Sequence, residues 1–279
     1  MRAIITKTLG GFFFVADKEQ NIYKTHIRGR IQKTVYPGDR VLCNKGKKLI
    51  EEILPRKSLL KRPKIANVDQ VLVIQSYQEP KFDFKLLDRF LILVEAANLK
   101  PIIVINKIDL REDDDYRERF KCYSNAGYRI CFVSVENKYG IKELSKYLTD
   151  KISVMAGPSG TGKSSIINCI IPGINLPTGK VSKKLKRGVH TTRHVELLPL
   201  SAGGWIADTP GFTSLDINHI EQKNLTFYFP EFLRYMSGCK FNTCSHLHEP
   251  GCAVQKAVKE GEISSSRYQS YKMFYKELN

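Results

Sequence analysis

The chain has 279 residues, 42% of them hydrophobic and 26% charged, which allows two or three domains and excludes a disordered polymer. Its longest apolar runs, at 90–94 and 101–105, fall far short of the roughly 20 residues of a membrane span. Met1-Arg2 is followed by Ala-Ile-Ile-Thr-Lys, too quickly polar for a secretory leader, so a cytoplasmic protein with no membrane attachment is expected.

Residues 1–63 carry 15 basic and 5 acidic side chains of a chain whose net charge is +17. An excess gathered at one end suits docking to a polyanion such as RNA. The same residues predict five short strands at 3–6, 11–15, 22–27, 40–42 and 49–53, separated by Gly10-Gly11, Pro37-Gly38-Asp39 and Gly46. Five strands in so short a stretch suit an OB-fold barrel. Lys24, Arg28, Arg30, Lys33, Arg40, Lys45, Lys47 and Lys48 interleave with Tyr23 and Tyr36, as on a surface that tracks phosphates and stacks bases. Phe12, Phe13 and Phe14 read as barrel core.

Residues 54–63 read as a basic linker bounded by prolines, and strands then alternate with helices. Strands are predicted at 70–75, 101–106, 128–134, 152–156 and 204–207. Helices are predicted at 84–98, 115–126, 142–148 and 163–171. The alternation means a mainly parallel sheet covered on both faces. The last segment holds a Cys/His cluster and a helical tail at 264–278. The resulting fold class is a multidomain chain: an all-β OB barrel (1–63), an α/β P-loop domain (64–221) and a mainly α metal-binding domain (222–279).

Gly157-Pro158-Ser159-Gly160-Thr161-Gly162-Lys163-Ser164 fits G-x-x-x-x-G-K-[ST], with a strand entering it and a helix, through Ser165, leaving it. The glycines let successive N–H groups curl around a β-phosphate at the helix amino end. Lys163 would bridge the β- and γ-phosphates, and the Ser164 hydroxyl would bind Mg²⁺. Asn106-Lys107-Ile108-Asp109 ends a predicted strand, and there a carboxylate accepts from N1–H and the 2-amino group of guanine. Adenine offers neither donor, so Asp109 selects guanine. Asn106 would support the base and the Lys107 stem would cover its face.

Ser134 ends the strand predicted at 128–134 and would approach the base. Asp208-Thr209-Pro210-Gly211 follows the strand at 204–207, with Asp208 on Mg²⁺ through water and the Gly211 N–H sensing the γ-phosphate. Between the two phosphate motifs, His190-Thr191-Thr192 sits in a basic stretch that reads as a switch loop. Either Thr191 or Thr192 would close on Mg²⁺. The motif order is rotated, because N-K-x-D precedes the P-loop.

Seven cysteines, three of them crowded near the carboxyl end, argue for reduced thiols and a metal site rather than disulfides. Cys239, Cys244, His246 and Cys252 make a Cys₃His set suited to one closed, structural zinc ion, with His248 an alternative to His246. Two further readings stay open from the residues alone. One is a non-catalytic, nucleotide-switched RNA-binding scaffold, and the other a guanylate-kinase-like phosphotransferase.

With N-K-x-D ahead of the P-loop and the Cys₃His set behind D-x-x-G, the sequence resembles the circularly permuted GTPases of the RsgA (YjeQ) family. Ile65-Ala-Asn-Val-Asp-Gln70, His190-Thr191-Thr192 and Glu249-Pro-Gly-Cys-Ala-Val254 extend the resemblance over nearly the whole chain. It implies a GTP hydrolase that turns GTP into GDP and phosphate on the 30S ribosomal subunit. It further implies binding through 16S rRNA late in subunit assembly, stimulation by the subunit, and release afterwards. Phe212 stands where many GTPases place a water-orienting glutamine, and the resemblance points to His190 as its substitute. A monomer is expected.

Overall fold

A computed structural model of the chain describes residues 1–278 apart from Arg30, Arg62, Asp113, 179–194 and 209–214; for Asp208 it describes the backbone only. Strands β1 (Arg2–Leu9), β2 (Phe12–Ala16), β3 (Ile22–Ile27), β4 (Arg40–Asn44) and β5 (Leu49–Ile53) follow the alternation of apolar and polar residues. They pair in the order β1-β2-β3-β5-β4, and β4 returns to β1, so the sheet closes on itself. Ile5, Val15, Val41, Cys43 and Ile50 fill the interior of this five-stranded barrel. Of the three consecutive phenylalanines only Phe13 packs on that core, because a strand sends successive side chains to opposite faces. Phe12 is instead half-buried outside it, edge-on to His26 and with the Lys24 ammonium 3.5 Å from its ring centroid.

The stretch read as a linker is folded. Its strand β6 (Leu59–Lys61) forms a hairpin with β7 (Lys64–Ala66). Upstream of β6, Arg56 donates to both oxygens of the buried Asp39 carboxylate, at 2.6 and 2.8 Å, and to Thr34 O. Asn67 Nδ2 donates to Gly38 O at 2.9 Å. These contacts seat the hairpin against the barrel.

Beyond it, β8 (Gln70–Ser76), β9 (Lys100–Asn106), β10 (Arg129–Phe132), β11 (Ile152–Ala156) and β13 (Trp205–Asp208) form the parallel part of the sheet, in the order β10-β9-β8-β11-β13. Helix α1 (Phe84–Ala96) covers one face through Leu87, Phe90, Leu91 and Val94. Helices α3 (Ile141–Leu148) and α4 (Lys163–Ile170) cover the other, against Leu72, Ile74, Ile102 and Val104. Two features depart from the predicted elements. Residues 115–126 hold a 3₁₀ turn, Glu118–Phe120, and only a short helix α2 (Lys121–Asn125). A further strand, β12 (Glu196–Pro199), runs antiparallel on β13 and meets β1 at the single register pair Lys7 and Glu196. Barrel and central sheet thereby become one eleven-stranded sheet.

The carboxyl lobe contains α5 (Pro230–Leu233), α6 (Ala253–Lys259) and α7 (Ser265–Glu277), with 3₁₀ turns at Gln222–Tyr228 and Met236–Gly238. Its core of Leu225, Phe229, Phe232, Tyr271 and Phe274 packs on Ile92 and Leu93 of α1. Helix α1 is therefore buried on two sides, by the sheet and by this lobe.

Candidate functional site

Parallel strands all end on one edge, and the chain's phosphate and base motifs lie there. The glycine-rich loop leaves β11 and enters α4. Gly157 has φ 140°, and a Cβ placed on it would lie 2.0 Å from Ile74 O. Only glycine lets the loop press on β8 in this way. Gly162 is the residue before α4, at φ 91°, and its would-be Cβ lies 2.3 Å from Asn106 Nδ2. That same Asn106 amide donates to Thr161 O at 2.9 Å, tying the base motif to the phosphate loop. Asn106 Oδ1 is buried and has no partner among the described residues, an open acceptor in the same place.

Asp109 lies in the 3₁₀ turn Ile108–Leu110 that follows β9. Its Oδ1 accepts from Ser134 Oγ at 2.5 Å, and Ser134 Oγ in turn accepts from Asn137 N–H at 3.1 Å. The carboxylate is thus aimed by a buried serine, which itself lies two residues beyond β10. Lys163 folds over its own loop and donates to Gly157 O at 2.8 Å and Pro158 O at 2.5 Å. Burial lowers the pKa of its ammonium, so a polyanion seated there would regain charge stabilisation that the loop lacks. Ser164 and Ser165 open helix α4, the end whose free N–H groups and dipole favour an anion. Asp208 ends β13 at the same sheet edge. His190, Thr191, Thr192 and Gly211 lie outside the described residues.

The second site is in the carboxyl lobe. Cys239, Cys244, His246 and Cys252 bring their ligand atoms within 4.8 Å of one another. His246 Nδ1 lies 3.6 Å from Cys239 Sγ and 3.4 Å from Cys252 Sγ, and the two sulfurs are 4.0 Å apart. Cys252 caps α6, its sulfur accepting from Gln255 N–H. Burial pushes the Cys244 thiol up to about 12 and raises that of Cys252. A bound cation would reverse this by stabilising thiolates. His246 is held in the left-handed region, φ 60°, while its carbonyl accepts from Tyr268 OH at 2.7 Å. His248 is exposed and outside the group. The four residues are a candidate metal centre with no open position.

A rotated P-loop domain between a closed barrel and a Cys₃His lobe narrows the comparison with known proteins. The RsgA GTPase family profile matches residues 53–218. The small ribosomal subunit biogenesis GTPase RsgA of Ruminiclostridium cellulolyticum is 46% identical over 284 residues, covering 99% of this chain and 93% of that protein. The chain belongs to the RsgA GTPase family. The crystal structure of YjeQ from Thermotoga maritima superposes with a TM-score of 0.87 at 39% identity, covering 99% of this chain and 98% of that one. YloQ, a circularly permuted GTPase, gives 0.85 at 36% identity over 99% and 94% of the two chains. The rotated motif order is therefore the family's own arrangement, and the chain is a GTPase of that fold.

Two further groups carry no mark in the sequence. Segment 77–83 lies beside both phosphate and base motifs: a Cβ on Gly160 would be 3.7 Å from Pro80 Cδ, and Lys107 Nζ donates to Glu79 O. Arg267 of α7 is buried between Asp88 of α1, at 2.6 Å, and Glu231 of α5, at 2.7 Å. Burial opposes its charge, yet the two carboxylates hold its pKa well above the ordinary value. Tyr123 OH donates to Asp88 at 2.8 Å and completes the cluster. No helical periodicity marks such residues; Arg267 reads as an exposed charge near the start of a polar helix. Among the described residues no helix is long and apolar enough to cross a membrane.

Proposed function

We propose that the chain binds the small ribosomal subunit through its 16S rRNA, in the cytoplasm, during late assembly. There it hydrolyses GTP to GDP and phosphate. The observation that carries this reading is the Asn106–Thr161 hydrogen bond, which joins a guanine-selecting turn to a phosphate loop within one site. Asp109, aimed by Ser134, takes the two donors of the guanine edge, and Asn106 supports the base. Lys163 leaves its two loop carbonyls for the β- and γ-phosphates. The N–H groups from Gly157 to Ser165 cradle the phosphates. Ser164, and Asp208 through water, would hold Mg²⁺, which would neutralise phosphate charge. Thr191 or Thr192 would bind Mg²⁺, the Gly211 N–H would sense the γ-phosphate, and His190 would orient the attacking water.

The Cys₃His group takes zinc. Tetrahedral bonds of about 2.3 Å to sulfur and 2.0–2.1 Å to nitrogen place sulfurs roughly 3.8 Å apart and sulfur about 3.6 Å from nitrogen. Among Cys239, His246 and Cys252 the separations of 4.0, 3.6 and 3.4 Å match that frame, with the Cys244 sulfur within 4.8 Å of them, and three soft sulfur donors favour zinc over oxygen-seeking cations. The working units are 1–63 for RNA, 64–221 for the nucleotide and 222–279 for the metal lobe. The basic excess of the first unit and Lys24 over Phe12 suit phosphate tracking beside an aromatic face.

The test is phosphate release from GTP, with ATP as control, in the presence and absence of purified small subunits. Stimulation of roughly 10²-fold or more, for GTP alone, is expected. His190→Ala should then abolish most of it. GTP binding without stimulated turnover would favour the non-catalytic scaffold, and phosphate transfer to GMP the kinase-like reading.

A further inference from the structure

Segment 77–83 leaves β8 between the two halves of the nucleotide site and is pinned at both ends. Tyr77 N–H donates to Asn106 O at 2.8 Å, which fixes its start beside the base turn. Gln75 clasps its far end, accepting from Asp83 N–H at 3.1 Å and donating to Asp83 O at 3.0 Å. Ser76 Oγ reaches across the segment and donates to Pro80 O at 2.7 Å. Gln75 and Ser76 are both buried.

Held in this way, the segment offers the Glu79 carbonyl to Lys107 Nζ, which donates to it. Glu79 and Lys107 both sit in the left-handed region, at φ 53° and 60°. Residues with a Cβ avoid that region unless their surroundings over-determine it. On its other flank, Pro80 borders Gly160 of the phosphate loop.

We propose that Ser76 is a positioning residue for the purine ring: through Pro80 and Glu79 it holds the Lys107 stem as a preformed wall of the base pocket. A lysine stem is apolar along its length and free to rotate, so it covers a ring only if its head is anchored. Anchoring before the ligand arrives removes an ordering cost from binding. This inference rests on the guanine-site reading and deepens it. Asp109 reads the edge of the base, whereas the Ser76 clamp acts on its flat face and is blind to edge substituents.

The test is equilibrium binding of GDP, inosine diphosphate and ADP to the full chain and its Ser76→Ala, Lys107→Ala and double variants. Ser76→Ala and Lys107→Ala are each expected to weaken GDP about tenfold. The double variant should be no weaker than Lys107→Ala alone, because the serine acts through the lysine. The preference for GDP over inosine diphosphate should be unchanged by Ser76→Ala. Pro80→Ala, at an exposed position, loosens the same segment by a second route and should couple to Lys107 in the same way. Wild-type affinity in both loop variants, or additive losses in the double variant, would overturn the proposal. A wild-type chain that binds ADP as tightly as GDP would instead remove the guanine reading, while the coupling of Ser76 to Lys107, read with either nucleotide, would still decide the clamp.

Discussion

The nucleotide edge of the sheet and the carboxyl lobe are built from opposite materials. At the phosphate half of that edge the decisive groups belong to the backbone: glycines where a Cβ cannot be placed, loop carbonyls holding Lys163, and N–H groups at the start of α4. In the lobe they are side chains. Three thiols and an imidazole converge on one centre, and a guanidinium is buried between two carboxylates. A site made of backbone on rigid strands keeps its shape while a ligand comes and goes. A lobe made of converging side chains keeps its shape only while those side chains stay paired. The two regions should therefore fail independently, although α1 packs against both.

Removing the metal tests this most severely. Structural zinc contributes about 10–16 kcal/mol to the folding of small domains. Chelation should accordingly abolish amide-exchange protection across 236–278 while GDP affinity changes less than about threefold. Retained protection in the lobe would mean that its aromatic core, not the ligand set, holds it. A parallel collapse of GDP binding would mean that α1 transmits the damage, and that the regions are one cooperative unit.

The buried cluster at Arg267 sharpens the comparison. Arg267→Met leaves Asp88 and Glu231 as buried carboxylates with no cation between them. Breaking a buried pair from one side costs about 3–5 kcal/mol, so the thermal midpoint of the lobe should fall by at least about 12 °C. GDP affinity should hold, since the partners of Asp88 are Tyr123 and Arg267 rather than residues of the phosphate or base motifs. The measurement is calorimetry of wild type and variant with metal bound, beside a GDP titration. An unchanged midpoint would show that the ion cluster adds nothing to the metal and the apolar core.

The same contrast explains what could be read from the residues alone. Local sites impose residue types at fixed spacing, through the backbone in Gly157–Ser164 and through side chains in Asn106–Asp109, so both stand out in the chain, as does a ligand set crowded into fourteen residues. The five barrel strands were legible because their turns carry glycine, proline and aspartate. Pairings across long separations were not. Asp88 and Arg267 lie 179 positions apart, and neither marks the other. Strand β12 is four residues long and ends in proline, too short for a period to show. Three phenylalanines in a row hide which of them faces outward, and Phe12 is outside the barrel core. At 54–63 the basic character suggested a free linker, and only the partner of Arg56, Asp39, shows that it is seated.

The smallest expected effect concerns the join between barrel and central sheet. Their one strand pairing among the described residues is a single register pair, and its side chains form a Lys7–Glu196 ion pair at 2.7 Å. Both are partly exposed, at 28% and 43%, and such pairs contribute about 0–1 kcal/mol, screened by salt. The barrel is held more firmly elsewhere. Arg56 grips Asp39 in two bonds, Asn67 reaches Gly38 O, and Ala66 N–H donates to Pro37 O at 2.8 Å. Lys7→Ala should therefore lower the thermal midpoint by no more than about 3 °C, with the difference vanishing in high salt. A larger, salt-resistant loss would place the hinge of the barrel at β1 and β12, and the hairpin at 59–66 would then be a follower of that joint rather than its anchor.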